Sequence, residues 1–175
     1  MKDAYVVSIA RTPIGKFGGA LKDFSAVDLA AHVMKAAVER VPQLDRALIE
    51  DVILGCAFPE GEQGMNLARL VGALSGLPET AAGVTVNRFC ASSLQAVNFA
   101  AQNIMLDLGD VFVAGGVESM SRVPMGGFNP SFNPRLTGET EGYPCAYITM
   151  GNTAENVANR YGVSRQDQDA FALRS

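Results

Sequence analysis

The 175-residue chain is long enough for one compact domain with a substantial core. Its 48% hydrophobic and 18% charged residues, with 18 glycines, describe a folded α/β composition and exclude a disordered chain. A formal net charge of −4, with no Lys/Arg-rich patch, argues against a nucleic-acid partner, and no apolar run reaches the length of a membrane span.

Cysteine and histidine usage narrows the chemistry further. Cys56, Cys90 and Cys145 are far apart and form neither a disulfide framework nor a zinc pattern. No metal is expected, and a reducing, cytoplasmic setting is. The N-terminus enters an apolar segment at once, leaving no room for a signal or transit peptide in this form of the chain. The single histidine, His32, excludes a multi-histidine metal site and limits Cys-His catalysis within these residues.

In chain order, Ala4 to Ala10 reads as a buried strand, and the breaker-rich Arg11 to Gly19 as a structural turn. The turn lacks the spacing of a phosphate-binding loop, and no helix opens directly after it. Ser25 is an N-cap for a helix to about Arg40, with Asp28 in its first turn, where an acid is favourable. His32 lies beside that helix's apolar face, as a surface or half-buried side chain. Pro42 ends the helix, and Leu44 to Glu50 allows one more helical turn. Asp51 to Ala57 is a second buried strand, in which Cys56 only packs.

After a loop from Phe58 to Gly64, a helix spans Met65 to Leu74, stopped by Gly76 and Pro78. Val84, Thr85 and Val86 are β-branched and start a third strand. From Ala91 to Met105 there is no Gly or Pro, and apolar residues occupy several helical faces, so this helix is expected to be buried nearly all round. Val111 to Val117 is a fourth strand. The alternation implies a sheet covered on both faces. Ser119 to Ala146 is a long irregular excursion, of a kind that usually serves function or assembly. Helices return at Asn152 to Tyr161 and from Ser164, with Asp167 three residues on. The chain stops at Ser175 without a cap or breaker, which suggests a shortened chain.

Cys90 sits where the third strand gives way to its helix, in Val84-Thr85-Val86-Asn87-Arg88-Phe89-Cys90-Ala91-Ser92-Ser93. Two readings are open from position alone. A free cysteine is commonly a small buried hydrophobe. At a helix start, however, free N–H groups and the positive dipole end stabilise a thiolate. Ala91, Ser92 and Ser93 are small enough for a ligand or another backbone to approach closely.

The stretch VNRFCASSLQAVNFAA resembles the acyl-enzyme motif of thiolases. Other stretches are similar to thiolase segments in the same order: Arg11 to Gly15, Gln63 to Arg69, Ala114 to Ser121 and Met150 to Asn156. The resemblance covers essentially the whole chain. It implies a layered αβαβα fold of two similar halves. Residues 1–118 would be most of the first half, 119–175 the beginning of the loop domain, and the C-terminal half would be absent. It also implies a ping-pong acyl transfer in which Cys90 is acylated by a 3-ketoacyl-CoA and coenzyme A then takes the acyl group. Coenzyme A is a substrate, and no further cofactor is implied. Met150 matches a residue lining the acyl/pantetheine pocket, with a core methionine as the plain alternative. Asn66 and Arg69 are structural, and Glu118 satisfies buried backbone N–H groups. Thr149 stands where many thiolases carry a histidine, so no role is carried over.

Thiolases also use an asparagine-bearing motif, a histidine and a second cysteine, all in the C-terminal half. His32, Cys56 and Cys145 match none of them, so the chain alone is expected to be nearly inactive. Arg88-Phe89 and Arg122-Val123-Pro124-Met125 look more like the degradative 3-ketoacyl-CoA thiolases of β-oxidation than the biosynthetic acetoacetyl-CoA enzymes. Homodimers or homotetramers are implied, with an exposed apolar face on the isolated piece. Competing readings are a condensing ketoacyl synthase and a truncated, non-catalytic acyl-CoA-binding or assembly protein. A cysteine hydrolase fails for want of a suitable histidine.

Overall fold

The computed structural model describes residues 2–137 and 146–175, so Cys145 and part of the irregular excursion lie outside the described residues. Two compact units are formed, Met1–Asn129 and Pro130–Ser175.

The first unit is built on three parallel strands: β1 (Asp51–Gly55), β2 (Ala82–Val86) and β3 (Phe112–Gly116). They lie in the order β2-β1-β3, with Ile53 level with Val84 on one side and Ala114 on the other. Successive strand residues point to opposite faces, and β1 uses this to build two cores. Val52 and Leu54 pack with Ala31 and Met34 of helix α1 (Ala26–Glu39) and with Leu67 and Val71 of helix α2 (Leu67–Leu74). Ile53 points the other way, against Ala96 and Ala100 of helix α3 (Ser92–Met105). The run of four buried residues ending β1 is what a strand with helices on both faces requires.

Local signals set the helix boundaries. The Ser25 hydroxyl accepts the Asp28 N–H at 3.1 Å and caps α1, a bond worth about 1 kcal/mol. Met65 and Asn66 both take positive φ, so α2 begins at Leu67, two residues later than its apolar pattern predicts. Asn66 is tied instead to the sheet edge, donating to the Gly83 carbonyl at 2.8 Å and accepting from the Thr85 hydroxyl at 3.1 Å. Arg69 donates to the carbonyls of Ala81 and Glu79, so both residues hold the approach to β2.

Two expectations are corrected. Residues 4–10 form no strand, and Tyr5, Val6, Val7 and Ile9 are all about three-quarters exposed. A β-branched run needs a neighbouring backbone to become a strand, and none of the described residues pairs with it. It is held by side chains instead: the Ser8 hydroxyl donates to the Ala37 carbonyl at 2.7 Å, and Arg40 donates to the Ile9 carbonyl. Lys2, paired with Asp107 and Asp110, has its ammonium pKa raised by those two carboxylates. The second correction is α3, which buries only the stripe of Ser92, Ala96 and Ala100. Leu94, Val97 and Phe99 remain exposed, because no described element covers those faces.

The second unit holds helices α4 (Met150–Tyr161) and α5 (Arg165–Arg174). Thr149 caps α4 by accepting the Asn152 N–H, and Gly162 ends it in the left-handed conformation. Ser164 and Asp167 form a reciprocal capping box at α5, which lowers the Asp167 carboxyl pKa.

Candidate active site

Cys90 lies in a single 3-10 turn, Phe89–Ala91, that runs directly into α3. It is exposed. The turn begins abruptly: Phe89 has φ +45°, a left-handed conformation that a bulky residue rarely adopts. Such a residue costs about 1–3 kcal/mol and persists only where its surroundings dictate it.

Those surroundings are visible. The Asn87 side-chain oxygen accepts the Phe89 N–H at 2.8 Å. The buried Ser92 hydroxyl accepts the Arg88 N–H at 2.8 Å and donates to the Phe89 carbonyl at 2.6 Å. Hydrogen bonds of this kind contribute about 1 kcal/mol each, so three together are of the size needed to offset the strain. Among the described residues no hydrogen bond from the Cys90 N–H is found, whereas the Ala91 N–H donates to the Arg88 carbonyl at 3.0 Å. An N–H so placed is of the kind that can stabilise a nearby oxyanion.

Glycines let the turn reach the sheet. A Cβ on Gly55 would sit 2.3 Å from the backbone of Ser92 and Ser93, and one on Gly116 would sit 2.8 Å from the Gly55 carbonyl and the Ser93 side chain. The start of α3 therefore rests on the bare C-terminal ends of β1 and β3, where open α/β sheets place their ligands.

A second polar cluster stands behind the end of β1. Glu118 accepts the Ala57 N–H at 2.6 Å and the Gln63 amide at 2.7 Å. Gln63 is fully buried, donating also to the Phe58 carbonyl and accepting the Ser119 N–H. Glu118 thus satisfies loop backbone, as its position after the glycine pair predicts. Cys56, one residue beyond β1, is buried with its sulfur 3.8 Å from both Glu118 oxygens. Burial, reinforced by the carboxylate, pushes its thiol up to about 12, so it stays protonated at neutral pH. The burial of Gln63 and its bond to Glu118 escaped sequence reasoning, which placed it only at the start of a thiolase-like stretch, because an amide in a glycine-rich loop normally signals solvent.

Met150, the other predicted site residue, begins α4 in the second unit and is 71% exposed. His32 is exposed on α1. A depression of about 490 Å³ is lined by Phe17, Lys22, Glu62, Arg122 and Phe128 and does not include Cys90. Its cations are already paired, Lys22 with Asp23 and Arg122 with Glu62. Among the described residues no cluster of His, Cys, Asp and Glu could hold a metal ion, and no helix is long and apolar enough to cross a membrane.

A parallel α/β sheet carrying an exposed cysteine on a strained turn at a helix start is a setting in which a thiol can serve as a nucleophile. The model of the thiolase N-terminal domain matches residues 4–175, and the chain belongs to the thiolase family. It is 50% identical, over its whole length, to a 3-ketoacyl-CoA thiolase of Bacillus subtilis, covering 44% of that protein. It is 47% identical to a 3-ketoacyl-CoA thiolase of Shewanella denitrificans, again over its whole length and 44% of that protein. It is 44% identical to the 3-oxoadipyl-CoA/3-oxo-5,6-dehydrosuberyl-CoA thiolase of Escherichia coli, covering 47% of it. The chain thus spans less than half the length of these relatives.

Proposed function

We propose that these residues supply the nucleophile of a degradative 3-ketoacyl-CoA thiolase, with Cys90 as the acylated residue. The observation that carries the reading is an exposed thiol held on a strained turn at the start of a helix, in a thiolase-family chain. In the reaction, the Cys90 thiolate attacks the 3-keto carbon. The carbon–sulfur bond forms, the Cα–Cβ bond breaks, and the released enolate takes up a proton to become acetyl-CoA. The thiol of coenzyme A then attacks the thioester, the shortened acyl-CoA leaves, and the proton from coenzyme A is available to Cys90. No net oxidation or reduction occurs, and no cofactor is called for.

A 3-ketoacyl-CoA substrate, of which a 3-oxoadipyl-CoA is one kind, is supported by the names of the relatives. Met150 is assigned to the acyl/pantetheine pocket on motif position, residues 1–118 to the nucleophile half, and 119–175 to the start of the loop domain. Dimers or tetramers are the proposed assembly. The proton donors and acceptors of the reaction are placed outside these 175 residues, since His32 is remote from the motif and Cys56 is buried and protonated. The isolated chain is accordingly proposed to be nearly inactive.

The test is mass spectrometry of the intact natural protein after brief exposure to a series of 3-ketoacyl-CoA chain lengths. An acyl adduct on Cys90, lost in Cys90→Ala, is expected. An adduct on any other residue refutes the assignment, and thiolysis by purified 1–175 alone refutes the claim of inactivity.

A further inference from the structure

We propose that Asn87 is a positioning residue for Cys90, orienting the thiol-bearing turn by bridging it to the loop that follows β1. The inference rests on reading Cys90 as the acyl-transfer nucleophile.

Asn87 uses both ends of its amide. Its oxygen accepts the Phe89 N–H at 2.8 Å, one residue before the cysteine. Its nitrogen donates to the Ala57 carbonyl at 2.8 Å. The orientation of the amide is settled by its partners, because one offers only a proton and the other only a lone pair. Ala57 is itself anchored, since its own N–H donates to Glu118 at 2.6 Å. Glu118 is in turn gripped by the fully buried Gln63. A continuous path therefore runs from the buried Gln63–Glu118 pair, through one peptide unit and one side-chain amide, to the left-handed residue beside the thiol.

The side-chain type is dictated by this geometry. The bridge needs a donor and an acceptor on one short planar group. Aspartate would keep the bond to Phe89 but set an anionic oxygen against the Ala57 carbonyl. Serine offers one oxygen in place of two groups. The ring contact between Phe58 and Phe89, 6.0 Å between centroids, links the same two loops apolarly and would keep the turn near its place when the amide is lost. Removing Asn87 should therefore loosen the direction of the thiol more than the fold.

This separates positioning from mere support. Acylation requires a near-attack geometry, in which a misplacement of about 1 Å can cost ~10²-fold. Alkylation by iodoacetamide carries no such directional demand from the protein. In the intact natural protein, Asn87→Ala is expected to lower kcat and the single-turnover rate of Cys90 acylation by on the order of 10²-fold, with KM changed by less than about 3-fold. Its Cys90 alkylation rate should stay within about 2-fold of wild type. A parallel loss of acylation and gain of alkylation, with a lowered Tm, would mark a purely structural role and overturn the proposal. So would acylation at the wild-type rate. Should Asn87→Ala fail to fold, Asn87→Asp keeps the shape and the Phe89 bond, and is expected to lower acylation at least ~10-fold. A wild-type acylation rate in it is equally fatal. If wild type itself forms no adduct on Cys90, it is the acyl-transfer reading that fails, a result distinct from any of these.

Discussion

Two cysteines of one sheet end differ because their surroundings differ. Cys90 is exposed on its turn, whereas Cys56 is buried beside a carboxylate and its thiol is raised to about 12. Native iodoacetamide at neutral pH should therefore label Cys90 and spare Cys56, as peptide mass spectrometry would read; equal labelling would mean the β1 end is open in solution. The raised thiol also has a signed effect on stability. Above 9.0, the ordinary thiol value, the unfolded chain loses this proton while the folded one keeps it until about 12. The folded state then binds more protons, so stability falls with rising pH across that window. Cys56→Ala should flatten the fall relative to wild type in denaturant titrations at successive pH values. An unchanged slope would show that Cys56 is hydrated. The sign is the same for Asp51, whose carboxyl is raised by burial and has an oxygen without a partner among the described residues. Its ionised form disfavours folding, so Asp51→Asn should raise Tm at pH 7, with the gain shrinking as the pH falls toward the ordinary carboxylate range.

At the scale of elements, what was legible in the sequence were features decided within a few residues. The Ser25 cap and the Ser164–Asp167 box were readable because cap and partner are three residues apart. The cores of β1, β2 and β3 were readable from β-branched and apolar runs. What was not legible depends on distant chain. The segment 4–10 has a strand's composition but no partner backbone, and the apolar faces of α3 have no cover among the described residues. The Asn87–Ala57–Glu118 path was hidden for the same reason, since it joins three loop ends well separated in sequence. Within the site, the strand-to-helix placement of Cys90 was readable, and the small residues after it do meet a close backbone approach, but at Gly55. Gly55→Ala tests that approach. Its Cβ would collide with backbone at 2.3 Å, leaving α3 to move off the sheet. A loss of stability of about 2–4 kcal/mol by urea titration is expected, larger than ordinary overpacking because no side chain can swing aside. A loss below ~0.5 kcal/mol would show that the helix start is not seated as described.

For the whole molecule, exposed apolar surface is the dominant fact. Tyr5, Val6, Val7 and Ile9 on one segment and Leu94, Val97 and Phe99 on α3 are large side chains left in water. Large apolar side chains exposed in number are characteristic of interaction faces. The 175 residues alone are therefore expected to bind an apolar dye and to self-associate. A monodisperse monomer with no dye binding, by sedimentation and fluorescence, would contradict this. The proposed thiolase halves offer a natural cover, since the chain spans less than half the length of its relatives.

The bare strand ends under α3 also bear on timing. Ser92 and Ser93 can seat only after β1 and β3 lie side by side, because Gly55 and Gly116 together form the floor. The strained turn next to Cys90 is thus complete only when both strands are paired, on a platform made of residues from distant parts of the chain. An unfolded or half-folded molecule carries the sulfur but not the turn that holds it, so the proposed acylation of Cys90 would report on strand pairing itself. Amide exchange at the head of α3 should consequently keep pace with exchange in β1, and not with the fraying expected of a free helix end.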